Sequence, residues 1–430
     1  MSSRVGRRDA VTADIILSNG QGLFPLRLAA AEMARRGRLR AFIAAGYPTP
    51  ALVRLARGPL RLPARLRGRR ADIPDNLVHP QWSSEVAYHI ANATRRLTWA
   101  GKFLGDAIDM AGRAAYGRGA AAVIRRLGPN LKGNIYHYRA GYGLGSASVA
   151  RLRGCILLCE HSIAHPAVLA HLVDQGGQLP PAGGTSPIDA NWRAISRDIE
   201  QADHVLVNSD FVAATFAHQS WPADRLHVLY RGIDDSFVAA LPPRQDPPAG
   251  KLRLAFAATL GVRKGVDTLA SALAMLDDID LQLDICGPIG SDRSAGTRHL
   301  LRDGRVRYHG VLKREGLGRV LSAADVFVFP SLAEGSARVV FEALAAGCYV
   351  VTTENAGSIV ADGVHGAIVP PADPAALAAA LREAAADRGR LVAVGRANAA
   401  LVRRHYHQGI YGDRLAALYG RLIDERHDDL

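Results

Sequence analysis

The chain has 430 residues, of which 48% are hydrophobic and 22% are charged. This length exceeds what one ordinary hydrophobic core supports, so two domains are expected, and the composition excludes collagen, coiled-coil and wholly disordered proteins. The formal net charge of +13 favours anionic partners such as nucleotides, phosphorylated substrates, acidic membranes or nucleic acid.

The first half of the chain alternates short apolar runs with helix-length segments. Predicted strands cover residues 14–17, 39–43, 135–138, 155–159 and 204–207. A turn containing Gly20 and Gly22 follows the first strand, and amphipathic helices are expected around residues 84–117. Apolar strands separated by helices indicate a parallel sheet that is covered on both faces.

A Pro-rich segment, residues 241–250, is the clearest linker. After it the alternation restarts, with predicted strands at residues 252–260, 280–286, 306–309, 325–330, 348–352 and 366–369. Residues 405–428 have helical periodicity. The sequence therefore predicts a second α/β domain and a ligand-binding cleft between the two domains.

The cysteines have neither CxxC nor zinc-finger spacing, and each lies among apolar residues: Cys155, Cys159, Cys286 and Cys348. We expect buried free thiols in a reducing compartment. No apolar run approaches the roughly 20 residues that span a bilayer. The first 20 residues lack the apolar core of a signal peptide. These features predict a cytoplasmic protein.

Two glutamates stand after the predicted strand 325–330, Glu334 on the loop and Glu342 in the following helix. Open α/β sheets bind ligands at the carboxyl ends of their strands, and a helix start attracts phosphate. Carboxylates beside such an anion site suit hydrogen bonds to sugar hydroxyls. The alternative interpretation is an ordinary strand–loop–helix with two solvated glutamates.

Arg263 and Lys264 follow the predicted strand 252–260 and precede a helix. Adjacent cations there could clamp a diphosphate and stabilise its charge as it leaves. The alternative is a pair of solvated loop cations.

Glu334, seven intervening residues and Glu342 resemble the E-x7-E motif of family-4 retaining glycosyltransferases. Further segments resemble this family in the same order: residues 228–237 (VLYRGIDDSF), 260–267 (LGVRKGVD), 285–290 (ICGPIG), 308–311 (YHGV), 353–357 (TENAG) and 366–371 (GAIVPP). The resemblance covers residues 200–425 well and residues 1–200 loosely. It implies the α/β fold called GT-B, in which two Rossmann-like domains (1–240 and 251–402) face a cleft and a C-terminal helix (403–430) returns to the first domain.

The resemblance also implies roles on the donor side. Glu342 would hold the ribose hydroxyls of a nucleotide, and Glu334 would contact the donor sugar. The other implied donor contacts are Gly20, Gly22, Leu312, Gly335, Ser336, Ala337, Arg338 and Val339. The family usually has Gly-Arg where this chain has Ala258-Thr259, so we expect Arg263 to supply the missing guanidinium beside Lys264.

Polar residues after two first-domain strands are candidates for the reacting sugar and the acceptor. By resemblance, His161 is the catalytic histidine beside the reacting sugar, with Glu160 and His165 as neighbours. His137 and Arg139 end another strand and are candidate acceptor contacts. The Glu-His-x3-His pattern of Glu160, His161 and His165 also suggests a metal site, but its ligand set is incomplete and the family generally needs no metal, so none is expected.

Residues 51–70 contain no acid and seven arginines: Arg54, Arg57, Arg61, Arg65, Arg67, Arg69 and Arg70. The run fits either a solvated loop face or an anionic membrane contact, because leucines interleave with the arginines. Nucleic acid has the least support and is not an expected partner, since no binding motif or stacking-aromatic cluster accompanies the run.

Together with these features, the resemblance implies a retaining glycosyltransferase that moves a hexose-type sugar from a nucleotide-diphosphate donor to a hydroxyl of a polysaccharide or lipid-linked acceptor. It would lie in the cytoplasm, either free or bound to the inner face of the membrane. Two alternatives stay open: a nucleotide-sugar epimerase of the same fold, and a non-catalytic relative that binds nucleotide sugars or anionic lipids.

Overall fold

A computed structural model describes residues 14–21, 26–48, 68–95, 99–244, 250–292 and 294–428. Contacts between Cα atoms divide the chain into two compact units. Unit 1 comprises Met1–His161, Asp189–Leu206 and Gly412–Leu430, and unit 2 comprises Ser162–Ile188 and Val207–Tyr411. This division differs from a single boundary at the predicted linker 241–250, of which residues 245–249 lie outside the described residues. The predicted domain bounds stay a prediction.

The first sheet has seven strands in the order β3-β2-β1-β4-β5-β6-β7. Its strands are β1 Ile15–Ser18, β2 Leu39–Ala44, β3 Val78–Pro80, β4 Ile135–Arg139, β5 Ile156–Glu160, β6 His204–Val207 and β7 Leu226–Val228. The pairs from β3 through β6 are parallel. The central strands are almost wholly buried, which explains why they are continuous apolar runs rather than alternating ones.

The second sheet has six strands in the order β10-β9-β8-β11-β12-β13, and all its pairs are parallel. Its strands are β8 Leu252–Ala257, β9 Leu281–Cys286, β10 Val306–Gly310, β11 Val326–Phe329, β12 Tyr349–Thr352 and β13 Gly366–Ile368. Phe256, Phe327 and Phe329 are among its largest buried side chains. Two parallel sheets with intervening helices confirm the predicted α/β class.

Helices separate the strands in both halves of the described chain. They are α1 Leu26–Arg35, α2 Trp82–Arg95, α3 Trp99–Arg126, α4 Ser146–Leu152, α5 Pro166–Asp174, α6 Ala190–Glu200, α7 Asp210–His218, α8 Asp235–Ala239, α9 Val266–Ala274, α10 Ala295–Leu300, α11 Arg314–Ala323, α12 Arg338–Ala345, α13 Pro374–Ala386, α14 Arg388–His405 and α15 Gln408–Asp428. The predicted helical region 84–117 is thus two helices.

The last helix contributes to unit 1 through residues 412–428. The Tyr419 hydroxyl lies 2.6 Å from Nδ1 of His137 on β4, and Asp413 pairs with Arg36 beyond α1 at 2.5 Å. The prediction that a C-terminal helix returns to the first part of the chain is confirmed. The four cysteines are buried and free, as predicted.

Each sheet has one point at which its strand order reverses direction. In the first sheet β1 and β4 are neighbours, and in the second sheet β8 and β11 are neighbours. The loops that leave two such strands run in opposite directions and open a crevice at their carboxyl ends, where α/β proteins bind ligands. The loops after β8 and β11 carry Arg263, Lys264 and Glu334.

Candidate functional site

The loop after β8 lies directly against the end of β11. Val262–Lys264 form a single 3-10 turn, and Gly265 follows with φ +71°. A Cβ on Gly265 would lie 1.8 Å from the carbonyl oxygen of Pro330, so this close approach requires glycine. The Leu332 N–H and the Ser331 hydroxyl both donate to the Arg263 carbonyl, each at 2.9 Å. The two loops therefore form one connected site.

Glu334 binds both predicted cations within this site. Nη1 of Arg263 donates to Oε1 of Glu334 at 2.7 Å and to the carbonyl of Ala333 at 2.7 Å. The Lys264 ammonium donates to the same Oε1, and the Ser331 hydroxyl lies 3.2 Å from it. The structure thus brings Arg263, Lys264 and Glu334 together around a single carboxylate oxygen, with Glu334 only 13% exposed.

The environment of Lys264 makes its charge costly to maintain. Burial lowers the pKa of Lys264, the nearby Glu334 carboxylate raises it, and the charge of Arg263 lowers it again. Nζ also lies 5.6 Å from the centre of the Phe329 ring. Arg263 is 37% exposed and Lys264 is 16% exposed, so Arg263 is the more accessible of the two cations.

The Glu334 loop packs tightly around Gly335. A Cβ on Gly335 would lie 1.8 Å from the Ser162 carbonyl, and the Gly335 carbonyl accepts a hydrogen bond from the Ser209 hydroxyl. The Glu334 N–H donates to the carbonyl of Asn355 at 2.8 Å. The glycine therefore serves close backbone packing. The neighbouring Ser336 is half-buried.

Helix α12 starts beside this loop, as the sequence predicts. The Ala337 N–H donates to the Ala356 carbonyl at 3.0 Å. This N–H is therefore not available to a phosphate, although the resemblance implies a donor contact at Ala337. Arg338 and Val339 occupy the first turn, where helical N–H groups have no partner within the helix. Of the implied donor contacts at this helix start, only Arg338 and Val339 could therefore offer backbone N–H groups to a phosphate.

Glu342 lies one turn into α12 and is 7% exposed. Burial raises the pKa of Glu342, while the positive charges of Arg338 and Arg314 lower it. Its Oε1 lies 3.2 Å from Nε of Arg338. Leu312, one of the implied donor contacts, is half-buried and packs against the core of unit 2. Glu342 is therefore a mostly buried carboxylate that could exchange its Arg338 contact for ligand hydroxyls.

The predicted turn in unit 1 is held by tyrosines. The Gly20 N–H donates to the Tyr116 hydroxyl at 3.0 Å, so that amide does not face a ligand. A Cβ on Gly20 would lie 2.4 Å from Cγ of Tyr142, which explains the glycine at this position. Gly22 lies outside the described residues.

The candidate acceptor residues of unit 1 are mostly buried. His137 is fully buried, with Nε2 3.6 Å from Oε2 of Glu160 and Nδ1 bonded to Tyr419, so it links β4 to β5 and the last helix. The Arg139 guanidinium donates to the Glu160 carbonyl at 3.3 Å. His161 is 1% exposed, and its N–H donates to the Leu206 carbonyl at 2.9 Å.

His165 is the N-cap of α5 in unit 2, and its side chain makes structural contacts. Its Nδ1 accepts from the Ala167 N–H at 3.2 Å, and its ring packs edge-on against Phe216. Burial lowers the pKa of His165 to about 4, so the ring is neutral near pH 7. Across the described ranges, no group of three or more His, Cys, Asp or Glu residues is placed to hold a metal ion.

Sequence reasoning missed Asp198, which organises the loop after β4. Its Oδ2 accepts from the N–H groups of Gly141 at 2.8 Å and Gly143 at 2.7 Å, and its Oδ1 accepts from Gln201. The loop also holds Tyr142, which covers Gly20. Asp198 is 55 residues or more from the amides that it binds, so no local motif could reveal the contact.

The arginine run is described only at its end. Arg54, Arg57, Arg61, Arg65 and Arg67 lie outside the described residues. Arg69 pairs with Glu85 at 2.7 Å, and Arg70 lies 3.5 Å from Asp75, so these two charges are partly neutralised within the chain. Among the helices described here, none combines the length and apolar character needed to cross a membrane.

Known proteins resemble this chain in sequence and in fold. The family model described as "Glycosyl transferases group 1" matches residues 251–387. The chain is 30% identical over 309 residues to a D-inositol 3-phosphate glycosyltransferase of Arthrobacter sp. (strain FB24), covering 66% of this chain and 70% of the relative.

Two solved structures share this fold. A sucrose-phosphate synthase of Thermosynechococcus elongatus aligns over 96% of this chain and 100% of its own, with a TM-score of 0.65 and 18% identity. HepE of Anabaena, solved with UDP and glucose, aligns over 95% of this chain and 100% of its own, with a TM-score of 0.62 and 16% identity. The fold is therefore that of the GT-B glycosyltransferases. The chain belongs to the group 1 glycosyltransferases, of the family-4 type that its sequence resembles.

Proposed function

We propose that the protein is a retaining glycosyltransferase that moves a hexose-type sugar from a nucleotide-diphosphate donor to a hydroxyl of a polysaccharide or lipid-linked acceptor. The observation that carries this proposal is the convergence of Arg263 and Lys264 on Oε1 of Glu334 at the β8/β11 crevice. The family membership supports the transfer of a sugar, and this geometry supports a diphosphate leaving group.

The site has the charges that such a donor requires. A nucleoside diphosphate brings at least two negative charges, and the two cations would neutralise them as the bond to the sugar breaks. In the structure, the carboxylate of Glu334 pairs with both cations. When a diphosphate takes over part of that pairing, Glu334 would be released to accept hydrogen bonds from sugar hydroxyls.

Glu342 would hold the other end of the donor. It lies on α12 beyond the Glu334 loop, and its carboxylate is mostly buried against Arg338. Ribose hydroxyls can donate to an ionised carboxylate, and a charged hydrogen bond is stronger than a neutral one. The amides of Arg338 and Val339 would add donors for phosphate oxygens at the helix start.

For the acceptor side, the proposal depends on His161 and its neighbours, as the family resemblance implies. The curated relative is a D-inositol 3-phosphate glycosyltransferase, so we take that compound as the first soluble acceptor to test, beside lipid-linked sugars. We also propose that the arginine run 51–70 contacts anionic lipid and that the reaction proceeds without a metal ion.

A binding screen tests the donor proposal directly. UDP-, GDP- and ADP-sugars are added to the wild-type chain, and thermal stabilisation is measured, beginning with UDP-glucose because HepE was solved with UDP and glucose. We expect one nucleotide class to stabilise the chain, and Lys264→Ala and Glu342→Ala to abolish most of that shift. Lys251→Ala, at a 61% exposed lysine, is the control. Failure of every nucleotide sugar and free nucleoside diphosphate to stabilise the chain would disprove the proposal.

A further inference from the structure

The segment 353–357 follows β12 and lies against the loop 331–337, which carries Glu334. Its sequence resembles the family, but the donor site described above uses none of its side chains. Both stretches belong to unit 2, and the parallel pairing of β11 with β12 brings their starts together. The segment is therefore placed to act on Glu334 through the loop that carries it.

Thr353 holds the start of this loop. It is fully buried, and its hydroxyl donates to the carbonyl of Ser331 at 2.6 Å. The hydroxyl of Ser331 in turn donates to the Arg263 carbonyl at 2.9 Å and lies 3.2 Å from Oε1 of Glu334. A buried carbonyl outside a sheet needs such a donor, because leaving it unpaired costs free energy. Thr353 thus fixes the residue that joins the Glu334 loop to the Arg263 loop.

Asn355 holds the loop on both sides of Ala333. Its Nδ2 donates to the Leu332 carbonyl at 2.8 Å, and its backbone carbonyl accepts from the Glu334 N–H at 2.8 Å. The same Nδ2 donates to the Gly177 carbonyl at 2.7 Å, so both of its hydrogens are used. Carbonyl oxygens only accept hydrogen bonds, so an amide nitrogen has to stand between them, and an ionised aspartate could not take its place.

The carboxylate of Glu334 needs this support because it binds two cations through one oxygen. Arg263 and Lys264 both donate to Oε1, and Arg263 also donates to the Ala333 carbonyl at 2.7 Å. A carboxylate that moved by about 1 Å would lose hydrogen-bond distance to at least one of the cations. The backbone bonds on either side of Ala333 determine where the Glu334 side chain starts, and so whether both contacts form.

We infer that Thr353 and Asn355 are positioning residues for the transfer reaction: they hold the loop 331–334 so that the Glu334 carboxylate can bind both cations. In this assignment they act through Glu334 and contact no substrate. Their effect on transfer rests on the proposed function, whereas their anchoring of the loop is a property of the free chain. Misplacing a reacting group by about 1 Å can cost roughly 100-fold in rate.

A matched asparagine elsewhere in unit 2 supplies the control. Asn398 on α14 is fully buried, and its Nδ2 also donates to two carbonyls, those of Cys348 at 2.9 Å and His365 at 2.8 Å. Cys348 precedes β12, so it lies at the opposite end of that strand from Asn355. Asn355→Leu and Asn398→Leu each remove two amide hydrogen bonds, and we expect a similar loss in the free energy of unfolding from both.

Hydrogen exchange followed by mass spectrometry measures the loop of the full chain without any ligand. Peptides that cover residues 331–337 should exchange about tenfold faster in Asn355→Leu than in the wild type, and at the wild-type rate in Asn398→Leu. Thr353→Val should also speed exchange, whereas Thr353→Ser keeps the hydroxyl and should restore the wild-type rate. If Asn355→Leu does not fold, the two Thr353 variants decide by the same measurements.

Initial-rate kinetics with the nucleotide sugar that stabilises the chain most measures the effect on transfer. We expect kcat to fall about tenfold or more in Asn355→Leu, and to stay near the wild-type value in Asn398→Leu and Thr353→Ser. The donor KM should change less than about threefold, because Glu342 and the start of α12 keep their contacts.

Three results would overturn the inference: unchanged exchange of the loop in Asn355→Leu, faster exchange with an unchanged kcat, or an equal loss of kcat in Asn398→Leu. Failure of every nucleotide sugar to support transfer in the wild type would instead overturn the proposed function. The exchange rates would then still decide whether Thr353 and Asn355 anchor the loop.

Discussion

The ammonium of Lys264 and the guanidinium of Arg263 share one acceptor, Oε1 of Glu334. Two positive charges are thereby held side by side at the carboxyl ends of β8 and β11, the point where the second sheet reverses its strand order. Like charges at this distance repel each other, so the carboxylate stabilises an arrangement that the cations alone would not adopt. A diphosphate would find both cations already positioned.

Replacing Glu334 by Gln should reduce transfer strongly. The variant keeps the size of the side chain but removes the charge that orders the cations and that, in the proposed function, would accept hydrogen bonds from the donor sugar. We expect kcat to fall about 100-fold, comparable with the loss of one transition-state contact. The measurement is initial-rate kinetics with the nucleotide sugar that stabilises the chain most. Glu383→Gln, an exposed glutamate of α13, is the control, and equal rates for the two variants would contradict the role of Glu334.

Donor binding should weaken at alkaline pH because Lys264 loses its proton. Burial lowers the pKa of Lys264 and the Glu334 carboxylate opposes that effect, so the ammonium is present below the lowered pKa and is lost as pH rises through it. Glu334→Gln removes the opposing charge and should move the alkaline loss to lower pH. Calorimetric titration with UDP between about pH 7 and 10 measures the shift.

The same experiment has an internal control in Lys264→Arg. A guanidinium stays protonated over this range, so the alkaline loss should disappear even if overall affinity changes. An unchanged alkaline limb in Lys264→Arg would mean that another group causes the pH dependence.

Gly335→Ala should destabilise the loop that carries Glu334. The added Cβ would lie 1.8 Å from the Ser162 carbonyl, so the loop must shift away from its neighbour. A cost of about 1–3 kcal/mol in the free energy of unfolding is expected from such overpacking. Urea denaturation measures it against Gly304→Ala, where an added Cβ meets nothing within 4 Å. Identical midpoints for the two variants would contradict the tight packing at Gly335.

Much of the second sheet and its site was predictable because the signals are local. Buried strands are continuous apolar runs, and Arg263, Lys264 and Glu334 stand within a few residues of two strand ends that parallel pairing must bring together. The occupation of the Ala337 N–H was not predictable. Its acceptor, Ala356, follows β12, and only the pairing of β11 with β12 brings that segment beside α12.

The loop after β4 shows the same limit in unit 1. The sequence predicts a turn at Gly20, but it does not show which groups satisfy the amides of Gly20, Gly141 and Gly143. Asp198 does so from α6, and Tyr116 does so from α3. Such contacts depend on how the helices pack against the sheet, which local periodicity does not encode.

Asp198 should make the stability of the protein depend on pH in the mildly acidic range. Burial raises the pKa of Asp198 to about 6, and the hydrogen bonds from Gly143 and Gly141 only partly offset that effect. A raised folded-state pKa means that the folded chain binds the proton more tightly than the unfolded chain. The stability that this group contributes is therefore fully present below about pH 4 and is lost as pH rises to about 6. The free energy of unfolding falls by roughly 3 kcal/mol over that range.

The substitution Asp198→Asn should remove this dependence, because the amide does not titrate. The free energy of unfolding in urea is measured at about pH 4.5 and 7.5 for the wild type, for Asp198→Asn and for Asp72→Asn, an exposed aspartate of unit 1. The wild type and Asp72→Asn should lose stability between the two pH values by a similar amount. Asp198→Asn should lose less, by the difference that Asp198 contributes, whereas parallel changes in all three chains would show that the Asp198 carboxylate titrates as an ordinary exposed acid.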